Sequence, residues 1–118
     1  MMTEQAAPPV AAEQFFAVDI RVGRVVRCEA FPEARKPAYK MLVDFGPLGE
    51  LRSSGRLTDL YAAEDLVGRL VIGVVNLPPR QIGPVRSEAL ILGAYQNGSE
   101  RVVLLQPERE CSPGDRIG

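Results

Sequence analysis

Arginine, serine and asparagine are the side chains through which this sequence could act, and histidine is absent from it altogether. Without imidazole there is no Ser-His or Cys-His nucleophile pair and no His metal ligand, and no side chain titrates near neutrality unperturbed. Cys28 and Cys111 stand far apart with no C-x-x-C, so the spacing favours two reduced thiols over a zinc knuckle or a redox dithiol. The carboxylates Asp19, Asp44, Asp59, Glu64, Asp65 and Glu88 have no acid-base spacing. The sequence therefore points to a binding protein with no cofactor or metal and not to an enzyme.

The cations offer more. Arg21, Arg24, Lys40, Arg52 and Arg56 fall in early alternating segments, with Ser53 and Ser54 beside them, and Arg35, Lys36 and Arg80 fall in loops. Gathered on one face they would track phosphates, each contact adding salt-dependent affinity; scattered, they are ordinary solvated positions. Arg35-Lys36 lies between Pro32 and Pro37, which limits the entropy its loop would lose on binding. Asn76, Ser87 and Glu88 flank a proline-rich loop, where polar groups either read bases or satisfy loop backbone. Phe31, Leu77, Ile82 and Val85 are apolar residues in proline-punctuated segments. They either plug the mouth of a core or mark an interface.

The charge total of -1, from 14 basic and 15 acidic residues, argues against nucleic acid at first. Five of the acids lie in the two ends, however, and residues 15–107 carry 12 basic against 10 acidic groups. That span is slightly cationic.

The elements that must position these residues are short. One hundred and eighteen residues make one compact domain, and 11 Gly with 10 Pro divide it into brief segments joined by turns. Residues 1–14 read as an arm, with a short helix over Val10 to Phe16 opened by Pro9. This arm has no basic start or sustained apolar stretch, so a cytoplasmic protein without membrane insertion is expected. Residues 15–118 form the domain. Period-two alternation marks a strand from Val18, bulged at Gly23, and a second over Tyr39–Phe45; a third begins at Leu51. A helix near residues 62–67 follows, then LVIGVVN, a strand buried on both faces. The proline-rich Leu77–Pro84 cannot continue that strand. One strand covers about Ala89 to Tyr95, and Asn97-Gly98 turns the chain into another at Val102–Leu105. All-β, with five or six strands and one short helix between the third and fourth, is the layout of an oligonucleotide- and oligosaccharide-binding (OB) barrel, shared with other small barrels.

Three ordered motifs add a resemblance: D-x-R-V-G at Asp19–Gly23, TDLY at Thr58–Tyr61, and NLPPRQIGPVRSE at Asn76–Glu88. The first and third resemble the tRNA-binding domain family, five-stranded OB-folds found free or appended to aminoacyl-tRNA synthetases. FPEARKPAYK at Phe31–Lys40, TDLY and PPRQIGP resemble its CsaA branch of export-related chaperones. The wider family's S-x-G-M-x-L is here SEALIL, which matches that branch better. The resemblance runs from about Phe15 to Gly118. It implies a homodimer that binds tRNA, unfolded preproteins, or both, with the cations and Asn76, Ser87 and Glu88 as the RNA face. Phe15, Phe16, Phe31, Leu77, Ile82 and Val85 would then serve peptide or the dimer contact. A pure preprotein-binding chaperone with a vestigial RNA face is the alternative it leaves.

Overall fold

The structure is a computed structural model that describes residues 4–118; residues 1–3 of the expected arm lie outside the described residues. Helix α1 spans Ala12–Ala17, beginning two residues later than the sequence suggests. Gln14 supports its start, its side-chain oxygen accepting the Ala11 N–H at 2.7 Å.

Strand β1, Ile20–Ala30, is long enough to serve two partners. Its first half pairs antiparallel with β4, Leu70–Val74, and its second half with β2, Tyr39–Asp44. Strand β3, Glu50–Gly55, continues outward from β2. Strand β7, Leu90–Ile91, adds to β4, giving the order β3-β2-β1-β4-β7. The two ends of this sheet meet where residues 88 and 89 both donate backbone N–H groups to the Arg52 carbonyl, at 2.7 and 3.3 Å. The sheet is therefore a nearly closed five-stranded barrel, with the one-turn helix α2, Ala63–Leu66, between its third and fourth strands.

The barrel centre is filled by Val25, Met41, Val43, Phe45, Leu66 and Val71. Close packing there explains the glycine of the first motif. A methyl group on Gly23 would lie 2.6 Å from a Val43 carbon and 2.8 Å from the Phe45 ring. Gly73, two registers along on β4, leaves similar space for the same ring. Gly23 thus makes room for Phe45, while the expected bulge is at Val26: Val25 opposes Val43 and Arg27 opposes Leu42, leaving Val26 without a partner. Outside the barrel, Val22, Leu70 and Ile72 form a second cluster with Cys111 and Ile117. The C-terminal segment lies along the first half of β1, Gly114 donating to Val22 and Ile117 to Ile20. Strand β4 is consequently buried on both faces, as its β-branched run implies.

Two hairpins complete the chain. Strands β5, Arg80–Ile82, and β6, Val85–Ser87, turn at Gly83-Pro84; β4 does end before the prolines, and the hairpin that follows carries no strand signal in the sequence. Its prolines flank the ladder or sit in the turn, where no ladder N–H is required of them. Strands β8, Gly93–Tyr95, and β9, Val102–Leu104, turn at Asn97-Gly98, both with positive φ, as the Asn-Gly pair predicts. The strand expected over Ala89 to Tyr95 is divided at Leu92, whose N–H donates to Ile72, so that β7 and β8 serve different sheets.

Candidate nucleic-acid interface

The outward faces of β1, β2 and β3 carry a groove. Register places Arg27, Leu42 and Arg52 in one row across the three strands, and Glu29, Lys40 and Ser54 in the next. Directly opposed residues of antiparallel strands share a face, so the side chains of both rows point away from the core. With Val85 of β6 as a wall, Arg27, Glu29, Lys40, Met41, Leu42 and Arg52 line a pocket of about 90 Å³ with an aliphatic floor at Leu42 and three cations around it. Lys40 lies 4.0 Å from Glu29, and Arg52 Nε lies 3.4 Å from the Glu88 carboxylate. The proline-bounded loop with Arg35 and Lys36 follows β1; both side chains are exposed, and Lys36 lies 3.9 Å from Glu100 on the β8–β9 turn. The β5–β6 tip comes close to that loop, since a Cβ on Gly83 would be 3.6 Å from Glu33 Cβ.

Arg27, Glu29 and Leu42 are groove residues that nothing local in the sequence marks, and Arg27 shows why. An unbroken alternation from Arg24 would turn it into the core; the bulge at Val26 turns it out. Lys40, Arg52 and Ser54, three of the residues singled out from the sequence, lie on this face. Exposed Arg56 lies just beyond β3, and Arg80 is exposed at the start of β5, opposite Ser87.

Other expected ligand contacts have structural partners instead. Arg21 Nε is 2.6 Å from Asp19, and its Nη1 donates to the Gly114 carbonyl at 3.0 Å. Arg116 lies 3.8 Å from the same carboxylate. The hydrogen bond from Arg21 holds the Asp19 carboxyl below the usual carboxylate range, against a smaller opposing effect of burial. Asn76 is used at both ends of its amide: Oδ1 accepts from Asp19 N–H and Nδ2 donates to the Ala17 carbonyl, each at 2.8 Å. Of the two uses open to Asn76, it has the structural one, tying β4 to the segment after α1. Arg24 donates to the Gly68 carbonyl at 2.8 Å and pairs with Glu110, in a separate cleft beside Arg69 and Arg109.

Ser53 is fully buried, and its hydroxyl donates to the Ala89 carbonyl at 2.7 Å, so it does not face a ligand. Ser87 donates to the same carbonyl at 3.4 Å, and Glu88 is bound to Arg52. Phe31 is only 3% exposed and acts as a plug, which removes it from any surface offered to peptide. Phe15, Phe16 and Leu77 are exposed, whereas Ile82 and Val85 are half-buried. Leu90 and Tyr95 are also exposed, on strands β7 and β8. Burial, with help from Glu29, pushes the Cys28 thiol up to about 11, which keeps it protonated and unreactive at neutral pH. Among the described residues, no three His, Cys, Asp or Glu groups gather to hold a metal ion, and no helix is long and apolar enough to cross a membrane.

A five-stranded barrel with a helix between strands three and four is an OB-fold, and its first three strands carry the cationic groove. Residues 20–116 match the putative tRNA binding domain, and the chain belongs to that family. It is 41% identical over 117 residues to a methionine–tRNA ligase of Porphyromonas gingivalis, covering 96% of this chain but 17% of the ligase. A ligase of Sorangium cellulosum is 40% identical over 116 residues, 97% of this chain and 16% of that protein. The chain thus spans about one sixth of the curated relatives it matches. Among solved structures, the chaperone CsaA of Bacillus anthracis superposes with a TM-score of 0.89 at 40% identity, over 94% of this chain and all of that one. A protein of Pyrococcus horikoshii described as related to methionyl-tRNA synthetase gives 0.83 at 27% identity, over 95% and 100%.

Proposed function

We propose that this protein is a CsaA-like, cytoplasmic, homodimeric binding protein whose ligand is tRNA, held without catalysis or cofactor. The observation that carries the reading is the groove on β1, β2 and β3, where Arg27, Lys40 and Arg52 surround an aliphatic floor. Such a surface suits nucleic acid: the cations meet phosphates and Leu42 meets the face of a base. In this reading Arg35, Lys36, Arg56 and Arg80, all exposed, add further phosphate contacts outside the pocket. Residues 1–14, with Phe15 and Phe16 after them, are assigned to the dimer contact, because both rings are exposed on one protomer.

A second reading, capture of unfolded preprotein, is supported by the exposed Phe15, Phe16 and Leu77 and by the likeness to CsaA chaperones. Salt separates the two. Labelled tRNA should lose affinity steeply between low and moderate salt as phosphate contacts weaken, while an unfolded apolar preprotein should be affected little. Reversing Arg35 and Lys36 to Glu should weaken tRNA alone. Absence of binding of either ligand at micromolar protein would defeat both readings, and a monomer in sedimentation would remove the dimer.

A further inference from the structure

Glu29 is out of place in a groove that only collected phosphates. It is the one carboxylate among the pocket's charged side chains, set in the row next to Arg27 and Arg52. Its neighbour Lys40 is 4.0 Å away, beyond hydrogen-bond length, so the ammonium offsets its charge without occupying its lone pairs. A carboxylate can only accept hydrogen bonds and repels a phosphate brought against it. The floor beside it is Leu42 and the wall is Val85, apolar surfaces that suit the face of a planar ring. The pocket, at about 90 Å³, is far smaller than a duplex end.

We propose that this pocket seats one unstacked nucleobase bearing an exocyclic amino group, with Glu29 accepting from that amine and Arg27 and Arg52 holding the flanking phosphates. Cytosine presents an amino donor where uracil presents a carbonyl oxygen, which a carboxylate repels. Glu29 would then set base preference, while the cations supply sequence-independent affinity. This inference rests on the RNA reading above and deepens it. Arg27, Lys40 and Arg52 still outnumber Glu29 and the Glu88 carboxylate beside Arg52, and that cationic surplus favours a phosphate-bearing ligand over a polypeptide in this groove.

The test is binding of fluorescent cytidine and uridine pentaribonucleotides, together with labelled tRNA, to the full chain at one salt concentration. The wild-type protein should bind the cytidine pentamer about fivefold more tightly than the uridine one, the low end of what a base-edge contact contributes. Glu29→Ala should bring that ratio to about one, largely by admitting uridine, and Arg27→Ala should weaken both pentamers alike. Equal binding of the two pentamers by wild-type protein, or an unchanged ratio in Glu29→Ala, would overturn the assignment while leaving the RNA reading standing. If neither pentamer nor tRNA binds, the RNA reading itself fails. An unfolded peptide that displaces the cytidine pentamer yet ignores Arg27→Ala would assign the groove to polypeptide and defeat the proposal. Both variants sit on the outer face, and matched thermal unfolding would show that they fold.

Discussion

Glu88 holds Arg52 twice: its backbone N–H donates to the Arg52 carbonyl at 2.7 Å, and its carboxylate accepts the Arg52 backbone N–H at 3.0 Å. The same carboxylate lies 3.4 Å from Arg52 Nε. One residue along, the Ser53 hydroxyl reaches the Ala89 carbonyl. Two residues that sequence alone places among candidate ligand contacts therefore close the barrel, joining β3 to the chain entering β7.

These two closures differ in what their loss should cost. Ser53 is wholly buried, so Ser53→Ala removes a donor that water cannot readily replace, and should destabilise the fold by about 1–3 kcal/mol. Glu88 is partly exposed, and water can reach the Arg52 N–H after Glu88→Ala, which should cost about 0.5–1.5 kcal/mol. Urea unfolding of both variants measures the order. A larger loss for Glu88→Ala would mean that the carboxylate, not the buried hydroxyl, dominates closure.

A methyl group at Gly23 has no space, because Val43 and Phe45 already occupy it. Gly23→Ala should cost about 1–3 kcal/mol, the usual range for overpacking a filled core. Adding Phe45→Leu should lose less than the two single changes together, since the smaller side chain gives up the contested volume. Strict additivity in thermal unfolding would place the strain of Gly23→Ala somewhere other than against Phe45.

The same glycine shows what was legible in the sequence and why. Period-two runs, the buried LVIGVVN strand and the Asn-Gly turn are local signals, and each became the element it implied. The meaning of Gly23 was not local, because Phe45 approaches it from 22 positions away. Nor was the side on which Arg27 emerges, because Val26 carries no residue type that marks a bulge. The β5–β6 hairpin was hidden by prolines that flank its ladder. Lys40 and Arg52 reached the groove by simple alternation. Arg21 and Asn76 were instead taken by backbone groups and an aspartate that the folded chain alone brings beside them.

Asp19 gathers both ends of the chain. It pairs with Arg21, which also holds the Gly114 carbonyl, and it faces Arg116, whose guanidinium donates to the Phe16 carbonyl. Its carboxyl is held below the usual range in the folded protein, chiefly by the Arg21 hydrogen bond. The ionised form therefore favours folding. That contribution is present in full above the unfolded value of about 3.9 and disappears as pH falls through the depressed folded value. Asp19→Asn should melt below wild type at pH 7, and the gap should narrow as pH falls below about 3.9 toward the depressed folded value, where the wild-type carboxyl becomes protonated too. Taking the difference between the two proteins cancels the other carboxylates, which titrate in both. A gap that stayed constant from pH 7 to pH 2 would show that Asp19 acts through shape and not charge. Limited proteolysis near Gly114 at pH 7 should also cut Asp19→Asn faster, because Arg21 loses the partner that aims it at that carbonyl.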